Sequence, residues 1–293
     1  MTLIPADTKD AKGPQRPPAM PTTNPFPNPI LVPEFNHPDL PPYSETDTAS
    51  YTRELPPPPP PRAQPPSQKI PESNAINAHS EVHITGPLHV LGSVKSSSNI
   101  ELSNGIEVDG KVSSSSHVTL SNNVIVHEKI DSSGKITLFE GVKVDGKLAA
   151  RGSVDLRNGV SVGDKVDASG SVTIDGGELG VKITGKISAS GSVDIRGNVQ
   201  VGGDINCSGK ASIRFHEKGV ANIGGKITPS GGTTIEGDVI FEKDLYLSGA
   251  LTINGQLHCK GDFEVKGNVS LKPGSNLIVD GKRTIHGSLK EVK

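Results

Sequence analysis

VKVDGKLAARGSVDLRNG, residues 142–159, decides the fold, because the stretches on either side are variations on it. Before it stands VIVHEKIDSSGKITLFEG (124–141) and after it VSVGDKVDASGSVTIDGG (160–177). The period is 18 residues. With places counted from Val142, aliphatic residues recur at places 1, 3, 7, 13 and 15, and glycine or another turn-former at places 5, 11 and 18. A fixed internal period of this length is the signature of a stacked architecture. Apolar residues two apart mark a strand, whose alternate side chains share a face, and the glycines mark bends between strands only a few residues long.

Outward from this stretch, turns begin at Leu88, Ile106, Val124, Val142, Val160, Val181, Val199, Ala221, Val239, Leu257 and Leu277. Val82 and Ile84 fall on places 13 and 15 of a preceding partial turn. Small additions at residues 178–180, 217–220 and 275–276 all follow place 18, so they belong to one corner of a stack. The expected fold is all-β, a single-stranded β-solenoid (β-helix) over residues 81–293, with about eleven 18-residue turns of three short strands. One turn cannot bury its inward row alone, whereas stacked turns share a continuous core. Place 9 runs Ser96, Ser114, Ser132, Ala150, Ala168, Ala189, Cys207, Pro229, Leu247, Val265, Ile285, so the core cross-section should change toward the C-terminal turns. Cys207 on this row and Cys259 at place 3 read as small buried hydrophobes, too far apart for a disulfide.

Residues 1–80 are a different material. They hold 21 of the 24 prolines and one of the 34 glycines. Proline fixes φ and removes backbone donors, and the apolar content is too low to offset ordering entropy, so a disordered, proline-rich tail is expected. Two short motifs stand in it. Pro57, Pro60 and Arg62 fit a PxxPxR pattern of the kind SH3 domains read, and Leu40, Pro41 and Tyr43 belong to an LPxY variant of WW-domain ligands. Any proline-rich spacer generates such matches by chance. The three apolar side chains within residues 1–4 make a weak membrane anchor, and no stretch approaches the ~18 apolar residues of a span. No secretory h-region is readable, which points to the cytoplasm. The net charge of −2 argues against general affinity for nucleic acid.

No catalytic constellation emerges. The histidines of the repeat region fall mostly on even, outward places, and no HxxxH or CxxC spacing suggests zinc. The glycines follow the turn period, and no phosphate loop is present, so neither metal nor cofactor is expected. One outward row is basic: Lys111, Lys129, Lys147, Lys165 and Lys186 stack at place 6, with Asp109 and Asp145 at place 4 offsetting part of the charge. This row is either a solvated corner or a docking edge for an acidic partner. The ends carry more weight, because a solenoid terminates in unpaired strand edges. The candidate end residues are Val82, Ile84, Leu88 and Val90 on one side and Leu277, Val279, Ile285 and Leu289 on the other. Neither end offers an amphipathic capping helix.

Segments such as VDGKVSSSSHVTL (108–120), VGGDINCSGKASI (201–213) and VKGNVSLKPGS (265–275) resemble bactofilins, the polymer-forming cytoskeletal proteins, across roughly 82–293. The resemblance implies a right-handed β-helix beside a flexible proline-rich terminus, end-to-end polymerisation without nucleotide, and a scaffolding role in cell shape. This chain carries more turns and a longer tail. The expectation is a non-enzymatic, self-associating scaffold whose tail recruits SH3 or WW proteins. The alternative enzyme reading is a hexapeptide-repeat acyltransferase on a left-handed β-helix, which the 18-residue turn permits. The short loops leave it little material for a substrate pocket. An extracellular adhesin rod is a third reading.

Overall fold

A computed structural model describes residues 70–215 and 219–291. They form three parallel sheets of twelve strands each, and every strand pairs with its counterpart one turn away. The fold is therefore the all-β solenoid that the repeat predicts, with twelve layers. At ~4.8 Å per layer the stack is roughly 55 Å long.

The additional layer is the first. Glu72–Ser73 pairs with Leu88–Val90, and Ile76–Ala78 pairs with Val94–Ser96. These strands lie inside the stretch that composition assigns to the tail, and Val82–Thr85 completes their layer.

Within a layer, places 1, 3, 7, 9, 13 and 15 point inward. In the fourth and fifth layers Ile130 pairs with Leu148 and Ile136 with Val154, all of them buried. Each fully buried aliphatic side chain contributes ~1.5–3 kcal/mol relative to exposure. Alternate residues face solvent, so the burial pattern runs buried–intermediate–buried along most strands. The corner between the third and first sheets explains the residues at places 17 and 18. Asn104 and Gly105 both have positive φ, as do Asn122 and Asn123, Glu140 and Gly141, and Asn158 and Gly159. Glycine and asparagine tolerate this left-handed backbone best. Asn122 Nδ2 also donates to Asn104 Oδ1 at 3.0 Å, tying two layers together at the corner. Residues 178–180 and Ser275 fall at this same corner, whereas Gly219, Val220 and Asn276, expected within the other two additions, are the first residues of first-sheet strands.

Glu72 and Ser73 pair with His89 and Val90 at a spacing of 17, and beyond this first layer the 18-residue register fails at one place. It would set Ala221 beside Val239 and Ile227 beside Leu245. Instead Gly219 pairs with Val239, Ala221 with Phe241 and Ile227 with Leu247. The expected register returns at Thr233 with Leu251. The offset is two residues in two sheets, and a two-residue shift leaves every side chain on its original face. The wider corner of the ninth layer contains Gly231 and Gly232, the latter at φ 86°.

Candidate functional site

The ends differ from the sequence expectation on one side. Because of the added layer, Val90 is fully covered, Leu88 is partly buried under the first layer, and Val82 is 6% exposed. The first layer's inward places are held by Pro71, Ser73, Ile76, Ala78, Val82 and Ile84. Val82 and Ile84 therefore stand at the first edge, whereas Leu88 and Val90 belong to the layer behind it.

At the other end, Leu277, Val279, Ile285 and Leu289 do occupy the twelfth layer. Leu277, Val279 and Ile285 pack against the core on one side only, and Leu289 is 42% exposed. The twelfth layer also places Arg283 beside Phe263 and Glu291 beside Leu271, both inward places that every other layer fills with uncharged residues. Sequence reasoning passed over this pair, although counting places from Leu277 would have found it. Inward charges on a terminal layer blunt a strand edge against pairing.

The lysine row at place 6 is neutralised differently from the expectation. Lys129 Nζ lies 2.7 Å from Asp131 and Lys165 Nζ 2.8 Å from Asp167, both at place 8. Asp167 raises the Lys165 pKa through this hydrogen bond. Asp109 and Asp145 face the other way. Asp109 accepts from His89 Nε2 at 2.8 Å, and Asp145 meets Lys143 at 2.9 Å and His127 Nδ1 at 2.8 Å. Lys111, Lys147 and Lys186 have no acidic side chain within ion-pair distance among the described residues.

On the second sheet, the small row at place 9 underlies an open trough of about 750 Å³ lined mainly by serine and alanine, with Asp131, Arg151 and Asp167 among them, from Ser113 to Thr228. Ser96, Ser114 and Ser132 do more than fill space in this row. Each hydroxyl donates to the place-11 carbonyl of the preceding layer, at 2.6, 2.6 and 2.5 Å, and accepts from the place-11 N–H of its own layer. The row turns bulky at Leu247 and Val265, where the trough ends. Cys207 and Cys259 are free and buried, and burial pushes both thiols up, which leaves them unreactive.

Histidines on the first sheet are paired with carboxylates from other layers. His127 Nε2 lies 2.9 Å from Glu107 while its Nδ1 faces Asp145, and these two hydrogen bonds raise its pKa against the opposing effect of desolvation. Asp109 raises that of His89 in the same way. On the third sheet, Asp155 is 4% exposed and held by Arg157 Nη2 at 2.6 Å and Lys135 Nζ at 3.1 Å. Burial alone would push this carboxyl up, but the two cations hold it below its ordinary value.

The tail residues Leu40, Pro41, Tyr43, Pro57, Pro60 and Arg62 lie outside the described residues. No helix among the described residues is long and apolar enough to cross a membrane. Comparison with family models, with curated proteins and with solved structures finds no match to this chain.

Proposed function

We propose that the protein is a non-enzymatic scaffold of the bactofilin kind, a cytoplasmic rod that self-associates through its solenoid ends and recruits partners through its proline-rich segment. The observation that carries this reading is the unbroken stack. Three sheets of twelve parallel strands leave their first and last strands unpaired on the outer side among the described residues. An edge of that kind presents unsatisfied N–H and C=O groups that a second copy continues without any new chemistry. Stacking of unlike ends is heterologous and gives open filaments, whereas contact between like ends closes a dimer.

The two edges are unequal partners. Apart from Pro71 and Ser73, the first layer turns apolar residues inward, whereas the twelfth carries Arg283 and Glu291. Association through the first layer is therefore the stronger contact. The motifs at residues 40–43 and 57–62 match docking peptides of WW and SH3 domains, whose proline-rich ligands lose little entropy on binding. The free, buried cysteines suit a reducing compartment.

Sedimentation velocity and negative-stain electron microscopy of the purified full chain over a concentration series test the reading. Rods that lengthen with concentration, or dimers twice the length of one solenoid, support it. A monomer at every concentration sinks it.

A further inference from the structure

We propose that His89, Glu107, Asp109 and His127 form a binding site for one divalent transition-metal ion, with zinc as the reference ion. Donor atoms of His89, Glu107 and Asp109 all lie within 4.8 Å of one another. His127 joins them through Nε2, 2.9 Å from the same Glu107 carboxylate. The set is two imidazoles and two carboxylates, a nitrogen–oxygen combination that suits zinc and its first-row neighbours.

Three consecutive layers supply these donors. His89 stands at place 2 of the second layer, Glu107 and Asp109 at places 2 and 4 of the third, and His127 at place 4 of the fourth. The parallel ladder fixes all four side chains on one outward face.

For His89, Glu107 and Asp109 the distances permit a shared ion with small rotations. A tetrahedral ion with ligands at about 2.0–2.2 Å needs donors roughly 3.4 Å apart. The present contacts of 2.8 Å for His89 with Asp109 and 2.9 Å for His127 with Glu107 must open by about half an ångström. Within the triad of His89, Glu107 and Asp109 the wider separations must close by up to about 1.4 Å, and His127, which meets this triad through Glu107, must swing farther in by rotation of its partly exposed side chain.

Charge supports the assignment. Among the described residues, Glu107 and Asp109 pair with no lysine or arginine, and their only ion-pair partners are the two histidines. With neutral imidazoles the site carries −2, which a divalent cation matches. Asp145 stands apart from the ligands. It is satisfied by Lys143 and accepts from His127 Nδ1, which fixes the ring with Nε2 toward the site. A carboxylate on the far nitrogen is the usual support of a metal-bound imidazole.

Isothermal titration of the full chain with zinc chloride tests the site, with thermal unfolding followed in parallel. One saturable zinc per chain is expected at this site, with an unfolding temperature that rises with zinc concentration. His89→Ala/His127→Ala should remove that zinc and the thermal shift while its circular dichroism stays that of the wild type. Asp145→Asn should weaken binding about ten-fold or more. His258→Ala removes an equivalent histidine–carboxylate pair on the same sheet and should leave binding unchanged. Absence of saturable binding by the wild type overturns the proposal, and so does full retention of zinc by the double variant.

Discussion

Thr233 occupies an inward place of the third sheet, between Ala211 of one neighbouring layer and Leu251 of the other. It is 2% exposed, and its hydroxyl has no hydrogen-bond partner. A buried, unsatisfied hydroxyl costs ~1–3 kcal/mol of desolvation, and valine has the same branched shape without it. Thr233→Val should therefore raise the urea midpoint by the equivalent of ~1–2 kcal/mol at unchanged slope. A lowered midpoint would mean that the hydroxyl is satisfied after all. Two glycines allow a paired comparison. Gly237 has φ 92°, and a Cβ there would be driven into the Phe215 carbonyl oxygen of the layer below. Gly274 has φ 77° with open space around the same position. Gly274→Ala bears only backbone strain of ~1 kcal/mol. Gly237→Ala must also move a neighbouring strand, so its loss of stability should be at least twice as large. Equal losses in chemical denaturation would show that layer spacing yields easily at that corner.

The elements were legible in the sequence to an uneven degree, for physical reasons. Apolar residues at places 1, 3, 7, 13 and 15 give the inward row of each strand directly, because period-two alternation is the geometry of a strand. The two-residue offset between the ninth and tenth layers left no trace, because such a shift keeps the same side chains buried. The first layer was hidden for another reason. Glu72–Ser73 is only two residues long and borders the proline-rich segment, so its own pattern is too short to read. The histidine–carboxylate cluster was missed because its members sit on crossing rows, places 2 and 4 of successive layers, and a search along single rows separates them. The ion pairs of the third sheet were equally invisible, since they depend on which charges the register brings side by side. They carry a prediction of their own. Arg157 and Lys135 hold the Asp155 carboxyl below its ordinary value, so ionisation of Asp155 favours folding. That contribution is complete above the unfolded-state pKa, near 3.9, and is lost as pH falls through the lower folded-state value. Unfolding free energy measured from pH 7 downward should fall below about pH 4, and Asp155→Asn should flatten part of that acid limb. An identical acid limb in the variant would remove Asp155 from the explanation.

At the scale of the whole molecule, a solenoid is a one-dimensional stack in which each layer meets only its neighbours, so growth at an end uses the same contacts that hold the interior. What separates a finite rod from a filament is therefore the composition of the terminal layers. In the eleventh layer the inward places are Leu257, Cys259, Phe263, Val265, Val269 and Leu271, all buried. The twelfth repeats that pattern except at Arg283 and Glu291, which take the places beside Phe263 and Leu271. A copy added onto this edge would have to desolvate both charges, and each ion removed from water costs several kcal/mol unless it gains a well-placed partner. These two residues should therefore hold the twelfth-layer edge back from pairing while the first-layer edge remains competent. Arg283→Leu/Glu291→Leu in the full chain restores the apolar row without altering any interior layer. Its self-association should begin at a protein concentration at least ten-fold lower than that of the wild type, with longer rods in electron micrographs. Sedimentation velocity of the two proteins side by side makes the comparison. If the onset is unchanged, the inward charges do not limit assembly, and the contact between copies must lie at the first layer alone or away from the ends.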